Sequence, residues 1–465
     1  MLSVFDIYKV GLGPSSSHTF GTMVASNMFA DYLKTNNLAE QTNEIDIHLY
    51  GSLALTGYGH GTCLSIVLGL EGYTPDGITP ENVQIEKDRI DNEKTLKIPT
   101  SNGTKTIHYN KNTNRFFHYD ALEYHPNGLR FIARDLKNNV LYTQTYFSIG
   151  GGFVLTLDEI KAGKKTESKK AKYEFSTFAE LLEICEKEKK TIYEIVLANE
   201  LCWRNQEEID KQIRVIIDVM NDSINNGLKR TGKIQGTIGL TRRAPELMKK
   251  LQEREQKGQS TIFDWMDYVS ACSFAVSEEN ASFGRLITAP TNGACGVIPP
   301  VIKFIEKFLP EHYTFENVKK FIFVSGIIGV LCKQNATISG AEGGCQAEIG
   351  TACSMASAGF VACLGGDDKQ IENGAVIGLI HNYGLTCDPV GGYVQVPCIE
   401  RNPVNSVKAI HAGHLALQEK NTQFVHLDVA IKTMYEVGRD MPCQYRETSL
   451  GGLAKNTKEH STCKC

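Results

Sequence analysis

Apolar and polar positions follow two different periods in the two parts of this chain. Up to residue 157, several short runs alternate between apolar and polar residues, which is the period of β-strands. These runs are EIDIHLY at 44–50, LKIPT at 96–100, TIHYN at 106–110 and QTYFSIGGGFV at 144–154. A helical period covers about 19–35. The pattern therefore predicts an α+β domain for residues 1–157.

After residue 177, apolar residues recur every three to four positions, the spacing of amphipathic helices. The predicted helices are 177–189, 207–226, 261–278, 296–308, 316–333, 345–364, 370–385 and 404–419. Turns rich in glycine, proline and asparagine connect them. The sequence therefore predicts an α+β fold in two parts, an N-terminal α+β domain followed by a mostly α-helical domain.

A change of composition separates these two parts. The stretch from Asp158 to Phe175 contains six lysines and almost no apolar periodicity, which is typical of a linker. We therefore predict an N-terminal domain at 1–157, a linker at 158–176, a helical domain at 177–454 and a C-terminal tail at 455–465.

Composition and charge indicate which class of molecule the protein binds. With 465 residues, of which 42% are hydrophobic, each domain can bury a core of its own. The net charge of −4 gives no basic field for nucleic acid or an anionic membrane, so we expect a small-molecule substrate. The longest apolar run, 321–332, has lysines on both sides and predicts a buried helix. The N-terminus lacks the pattern of a secretory signal, which favours a cytoplasmic protein.

The chain contains fourteen cysteines, which in a reducing compartment serve as core residues, metal ligands or reactive thiols. We predict small core residues at the seven cysteines in apolar, helix-like stretches: Cys63, Cys185, Cys202, Cys272, Cys332, Cys353 and Cys363.

Three further cysteines, Cys345, Cys387 and Cys398, lie in turns rich in glycine and proline. Their separations of 42 and 11 residues match neither zinc ribbons nor ferredoxins. Three thiolates that leave one metal position open indicate a cluster that does chemistry, because an open iron is a Lewis acid. The alternative for Cys345 is a capping turn with an incidental cysteine.

The turn FGRLITAPTNGACGVIPP at 283–300 is a candidate anion site. It can direct backbone N–H groups toward one point at the start of the next helix, where a substrate carboxylate could bind. Its candidate residues are Thr288, Thr291, Asn292 and Gly293. An ordinary connection between two helices would have a similar composition.

Two histidines lie in turns of the N-terminal part. His18 follows Ser15, Ser16 and Ser17 at a predicted helix start, where the hydroxyls could cap the helix or hold a small anion. His60 stands between glycines before an apolar helix, which makes it a candidate general base. The alternative for His60 is a surface histidine in a turn.

Seven motifs stand out along the chain: FDIYKVGLGPSSSHT at 5–19, GSLALTGYGHGT at 51–62, RRAPEL at 242–247, LITAPTNGACGVIP at 286–299, SGAEGGCQAEIG at 339–350, HNYGLTCDPVGGYVQVPCIERN at 381–402 and YRETSLGGLA at 445–454. Several of them are long and distinctive. In these motifs the chain resembles the iron–sulfur-dependent L-serine dehydratases of the single-chain bacterial type, over nearly its full length.

The resemblance implies a 4Fe-4S cluster held by Cys345, Cys387 and Cys398. The fourth iron would bind the serine hydroxyl while a base, for which we favour His60, removes the Cα proton. Elimination of water would then give aminoacrylate, and from it pyruvate and ammonia. His18 would contact the substrate or carry a second proton.

The resemblance also implies that the PSSSH turn and the turn at 288–293 grip the substrate carboxylate and amino group. In related chains a terminal cysteine covers the open iron when substrate is absent. Here the tail carries both Cys463 and Cys465, and we favour Cys465 as this removable fourth ligand. The alternative is a frayed tail with free thiols. The resemblance further implies a homodimer.

Three other functions are possible for such a sequence. A pyridoxal-phosphate dehydratase is disfavoured because no lysine stands in the required setting, so we expect no pyridoxal phosphate. A non-catalytic iron–sulfur or zinc protein would show four closely spaced ligands. A related iron–sulfur lyase that acts on cysteine would share the cluster turns and differ in its pocket.

Because the motifs lie on both sides of the linker, we predict an active site between the two domains.

Overall fold

The N-terminal part alternates strands and helices in the computed structural model, which describes residues 1–164, 169–419 and 424–457 of the chain. Its strands are β1 (Lys9–Leu12), β2 (Glu44–Tyr50), β3 (Thr95–Thr100), β4 (Gly103–His108), β5 (Arg115–His118), β6 (Gly128–Arg134), β7 (Val140–Ser148) and β8 (Val154–Thr156). Its helices are α1 (Gly21–Thr35), α2 (Ser52–Thr56), α3 (Thr62–Leu70), α4 (Pro80–Glu93) and α5 (Leu157–Lys161).

A five-stranded sheet in the order β5-β2-β6-β7-β8 forms the centre of this part. Strand β2 pairs with β5 in parallel and with β6 in antiparallel orientation. The alternation in β2 directs Ile45, Ile47 and Leu49 into a core that also contains Phe29 of α1 and Ile66 of α3. The predicted α+β architecture of this part is confirmed.

The second part of the described chain consists almost entirely of helices. They are α6 (Phe178–Glu188), α7 (Ile192–Glu200), α8 (Gln206–Lys229), α9 (Ala244–Gln256), α10 (Asp264–Asn280), α11 (Ile298–Phe308), α12 (Phe315–Asn335), α13 (Gly340–Gly343), α14 (Thr351–Cys363), α15 (Asp368–Ile380), α16 (Cys398–Gln418), α17 (Leu427–Asp440) and α18 (Gly452–Asn456), with one strand, β9 (Arg285–Thr288). Helix α14 is buried along its whole length and packs against α12, α15 and α16. No helix in the described ranges combines the length and the apolar character needed to cross a bilayer.

Several predicted helices and cysteine positions differ from the structure. Helix α16 begins at Cys398, upstream of the predicted start at 404, and continues through Pro403. The predicted helix 345–364 begins instead with a single wide turn, Gln346–Gly350, before α14. The prediction of a core position was wrong for Cys202, which is exposed in the turn that follows α7, and Cys63 is half-buried. The other five predicted core cysteines are buried.

The first residues of the chain join the two parts. Strand β1 pairs with β9 in antiparallel orientation, with Lys9 opposite Thr288. Before it, Phe5 and Tyr8 pack into the main core of the helical part. In this antiparallel pairing the PSSSH turn, which follows β1, lies at the start of β9, and the turn after β9 reaches the end of β1 through the hydrogen bond from Asn292 Nδ2 to Leu12 O. The two motifs that the sequence separates by more than half the chain therefore meet in the structure.

Candidate active site

Three buried cysteines form one cluster, which we call the thiol cluster: Cys345, Cys387 and Cys398. Cys345 immediately precedes the wide turn before α14, Cys387 lies in the loop after α15, and Cys398 is the first residue of α16. The thiols of Cys387 and Cys398 both hydrogen bond to the sulfur of Cys345. The structure thus brings together the three cysteines that the sequence singled out.

Hydrogen bonds and one cation favour negative charge in the thiol cluster. The hydrogen bonds from Cys387 and Cys398 lower the pKa of Cys345 well below its ordinary value, whereas the same bonds raise the pKa of the two donors. Burial opposes the charge of Arg401, but the sulfurs of Cys345 and Cys398 outweigh burial and raise the pKa of its guanidinium. The Arg401 guanidinium also donates to Thr386 O. Three sulfurs beside a buried cation fit a group that requires thiolate ligands.

A buried carboxyl group and two glycines border the thiol cluster. The Sγ atoms of Cys345 and Cys387 and a carboxylate oxygen of Glu348 lie within 4.8 Å of one another. A Cβ atom on Gly340 would lie 3.3 Å from Cys387 Sγ and 2.7 Å from Glu348 Oε2. A Cβ on Gly293 would lie 3.0 Å from Glu348 Oε1. Burial, reinforced by the charge of Cys345, raises the pKa of Glu348 well above its usual value. Glycines at these positions keep the space beside the sulfurs open.

A second group, which we call the acid–histidine cluster, consists of His18, His60 and Glu447. The two imidazole rings lie 4.4 Å apart between centroids. Glu447 Oε1 lies 3.3 Å from His60 Nε2 and 3.6 Å from His18 Nδ1. Burial alone would raise the pKa of Glu447, but its contact with His60 lowers it below its usual value. Glu447 is therefore a buried carboxylate held between two imidazoles.

The partners of His18 set its tautomer. Its Nε2 lies 3.1 Å from Ser52 Oγ and 3.0 Å from Thr56 Oγ1. Both hydroxyls already donate to carbonyl groups, so they accept from His18 Nε2–H. Nδ1 is then free to accept the Ser17 hydroxyl at 2.9 Å. Burial lowers the pKa of His18 to about 4, so this ring is neutral at neutral pH.

His60 has the opposite arrangement. Its Nδ1 lies 3.0 Å from Thr56 O, which can only accept, so Nδ1 carries a hydrogen. The remaining nitrogen, Nε2, faces Glu447 and is the atom that can gain or lose a proton. The Thr19 hydroxyl donates to His60 O at 2.6 Å and fixes the turn. The surroundings of His60 therefore leave one nitrogen for proton transfer.

A short backbone ladder connects the two clusters. Cys387 N donates to Tyr445 O at 2.7 Å, and Glu447 N donates to Cys387 O at 2.7 Å. The Ser52 hydroxyl of the N-terminal part donates to Glu447 O at 2.6 Å. Glu447 adopts a left-handed backbone with φ of 56°, which is uncommon for a residue other than glycine. The fold thus holds this carboxylate in a strained position beside a cysteine of the thiol cluster and both histidines.

Replacement of Gly59 by alanine is expected to lower kcat by about 10²-fold, because displacement of a catalytic group by about 1 Å has effects of that size. A Cβ atom on Gly59 would lie 2.3 Å from Gly392 O, so the turn that carries His60 would have to move. Steady-state kinetics on the Gly59→Ala protein measures this effect. Gly77→Ala is the matched control, since there the Cβ would meet only the hydroxyl of exposed Thr74. Equal activity of both variants would contradict this role of Gly59.

The structure places the other predicted site residues around these clusters. Ser15 Oγ caps the PSSSH turn by accepting His18 N at 3.1 Å, and Ser16 is buried beside it. Thr288 donates to Asn292 Oδ1 at 3.0 Å, and Asn292 Nδ2 donates to Leu12 O at 3.1 Å. These two side chains therefore hold the β1–β9 connection.

Thr291 differs from Thr288 and Asn292. Its buried hydroxyl faces the carboxyl group of Glu348 instead of the β1–β9 connection. Gly293 O accepts the amide of Asn402 at 2.8 Å, which links this turn to α16. The roles of these residues in substrate binding stay predictions.

The predicted removable ligand, Cys465, and its neighbour Cys463 lie outside the described residues.

Sequence reasoning gave no role to several residues of the site: Glu447, Glu348, Arg401, Ser52 and Thr56. Each lies inside one of the motifs quoted above, in YRETSLGGLA, SGAEGGCQAEIG, HNYGLTCDPVGGYVQVPCIERN or GSLALTGYGHGT. A single acidic residue among glycines and serines has the composition of a surface turn, and its burial is a property of the folded chain. The sequence signal that could have found these residues is that each of them lies in a distinctive motif.

The fold and the two clusters define a two-domain enzyme with a buried thiol centre. The model of the serine dehydratase beta chain matches residues 3–159, and that of the serine dehydratase alpha chain matches residues 187–454. An L-serine dehydratase of Haemophilus influenzae is 43% identical over 98% of this chain and 99% of its own length. An L-serine dehydratase of Streptomyces coelicolor is 42% identical over 98% and 99%, and L-serine dehydratase 2 of Escherichia coli is 41% identical over 98% of each. The chain belongs to the iron–sulfur-dependent serine dehydratases of the single-chain type.

Proposed function

We propose that this enzyme is an L-serine ammonia-lyase that eliminates water from L-serine to give pyruvate and ammonia. The observation that carries this proposal is the junction of the thiol cluster and the acid–histidine cluster at the Cys387–Glu447 ladder. β-Elimination requires a base near Cα and an acid near the departing oxygen. The acid–histidine cluster would supply the base, and the thiol cluster would hold the Lewis acid. The relatives are named L-serine dehydratases, which supports serine as the substrate.

The cofactor of this proposal is a 4Fe-4S cluster held by Cys345, Cys387 and Cys398, without pyridoxal phosphate. Their shared burial, the Arg401 cation and the open space at Gly293 and Gly340 support these ligands. When bound, the cluster supplies a Lewis acid for the substrate hydroxyl. Cys465 as a removable fourth ligand stays a prediction from the resemblance.

His60 is the base of the proposed reaction. Thr56 O holds its Nδ1–H, so Nε2 accepts the Cα proton. Glu447 Oε1, 3.3 Å away, then stabilises the imidazolium that forms. His18, kept neutral by burial, offers a hydrogen-bonding surface beside the substrate and adds no charge that would compete with His60. Burial of the whole group excludes bulk water while the proton is held.

Two turns are proposed to bind the substrate carboxylate. Thr291 supports this role because its hydroxyl is buried beside Glu348, at the border of the thiol cluster. Ser15, Ser16 and Ser17 form the opposite side, where Ser17 also orients His18. Thr288 and Asn292 position the turn through their mutual hydrogen bond, and Gly293 leaves room beside Glu348.

The domain limits at 157 and 177, the homodimer and the cytoplasmic location stay predictions.

Anaerobic purification followed by a pyruvate assay tests the proposal. We expect a coloured protein with broad visible absorption that converts L-serine faster than L-threonine or L-cysteine. A colourless protein without iron that still turns over L-serine would exclude the cluster mechanism. Preferred turnover of L-cysteine would instead identify the related cysteine lyase.

A further inference from the structure

We propose that Oε2 of Glu447 binds the α-ammonium group of the substrate and thereby makes the site selective for amino acids over the corresponding acids without an amino group. This proposal rests on the proposed function, because it concerns the same pocket. It assigns a substrate contact to Glu447, a residue of the YRETSLGGLA motif for which the sequence predicts no role.

The two oxygens of this carboxylate differ in their surroundings. Oε1 faces His60 Nε2 at 3.3 Å and His18 Nδ1 at 3.6 Å. Oε2 is buried and has no hydrogen-bond partner within the described ranges. Glu447 is only 4% exposed, so bulk water does not solvate this oxygen. A buried carboxylate oxygen without a donor is costly unless a ligand supplies one.

The nearby charges favour a cationic ligand. The carboxylate lies within electrostatic range of the Cys345 sulfur, whose negative charge the neighbouring thiols favour. In the described chain, its ion-pair partners are histidines. Arg446, the adjacent residue, directs its guanidinium to Glu342 O at 3.2 Å instead. An ammonium group would supply both the missing donor and the missing positive charge.

The position of Oε2 also suits the order of groups in a 2-amino acid. The ammonium nitrogen is bonded to Cα, the carbon that loses its proton. Because Oε1 of the same carboxylate faces His60 Nε2, an ammonium group on Oε2 brings the Cα–H bond beside that base. The hydroxyl, one carbon further, can then extend toward the thiol cluster, whose Cys345 sulfur lies within electrostatic range of Glu447.

Ligand binding in a variant without turnover tests this assignment. The holoenzyme with His60→Ala is titrated anaerobically with L-serine and with 3-hydroxypropionate, which is serine without its amino group. We expect L-serine to bind more tightly than 3-hydroxypropionate. Addition of Glu447→Gln should weaken L-serine by about 10²-fold and change 3-hydroxypropionate by less than about threefold, because truncation of a buried charge pair has effects of that size.

Two controls separate a substrate contact from a structural role. Glu372→Gln neutralises another buried carboxylate, which accepts Leu427 N at 3.0 Å in the helical part, and should leave both affinities unchanged. Visible absorption and melting temperature report whether each variant retains its cluster and fold. Should the glutamine variant fail to fold, Glu447→Asp retains the charge and is expected to keep a preference for L-serine.

Three results would overturn the proposal: equal affinity of the parent protein for both ligands, equal weakening of both ligands in Glu447→Gln, or an unchanged affinity for L-serine. Failure of the proposed function gives a different result. If L-serine is not turned over but L-cysteine is, the same comparison of L-cysteine with 3-mercaptopropionate still measures the ammonium contact. Loss of pyruvate formation and loss of amino selectivity are therefore separate outcomes.

Discussion

Cys345→Ala is expected to abolish both the visible absorption of the anaerobically purified protein and its turnover of L-serine. Cys345 accepts hydrogen bonds from both other cysteines of the thiol cluster, so its sulfur is the common contact of the three proposed ligands. Removal of one of three thiolates leaves too few ligands to retain a cluster. Iron analysis and an absorption spectrum measure the first effect, and a pyruvate assay measures the second.

Cys353→Ala is the matched control for this experiment. Cys353 is equally buried in α14, and its thiol donates to a carbonyl group, Asn405 O, at 3.7 Å. This variant should retain iron and colour. Cys387→Ala and Cys398→Ala are expected to behave like Cys345→Ala. Full iron content in any of these three variants would refute that ligand.

His60→Ala is expected to lower kcat by about 10²–10⁴-fold while leaving the absorption spectrum unchanged, because general base catalysis contributes a factor of that size. The loss should appear in kcat more than in KM, since His60 acts on the proton and contacts the protein through Thr56 O. Steady-state kinetics with L-serine, together with a spectrum of each preparation, measures both properties.

His48→Ala controls for the loss of an imidazole from the same domain. His48 lies on β2, where it contacts His118 at 3.0 Å on the exposed side of the sheet. Its removal should leave kcat unchanged. If His60→Ala keeps full activity and His18→Ala loses it, the base is His18, which would act through its unprotonated Nδ1.

Regular apolar periodicity predicted the long helices because it is a local property of the chain. The run 316–333 corresponds to α12, and EIDIHLY corresponds to β2. The apolar pattern does not predict α9, in which six of thirteen residues are charged and only Ala244 and Leu251 are buried. Its position depends on packing against α10 rather than on its own pattern.

Non-local pairing explains the other omissions. Strands β1 and β9 are four residues long and have partners from opposite parts of the chain, so neither shows a strand pattern of its own. The start of α16 was placed after Pro403, because proline usually ends a helical pattern. In the structure Pro403 lies near the beginning of α16, where its missing N–H removes a single hydrogen bond.

Residues of the candidate site could be predicted from the sequence where their type is unusual outside a hydrophobic core. Cysteines in glycine-rich turns have few other uses, and Cys345, Cys387 and Cys398 do converge. Glu447 and Glu348 are ordinary surface residues by type, and their importance comes from burial beside histidines and sulfurs. The burial of Glu447 depends on contacts with His18 and Ser52 of the N-terminal part, which no local pattern records.

The β1–β9 pairing also bears on how a divided form of this enzyme would assemble. If the polypeptide were cut in the lysine-rich stretch, the helical fragment would present β9 as an open edge, and the other fragment would carry β1 as its complement. Strand addition would then join the fragments and bring His18 opposite Glu447 in the same event. The two subunits would therefore recognise each other and complete the proton-transfer site in the same step.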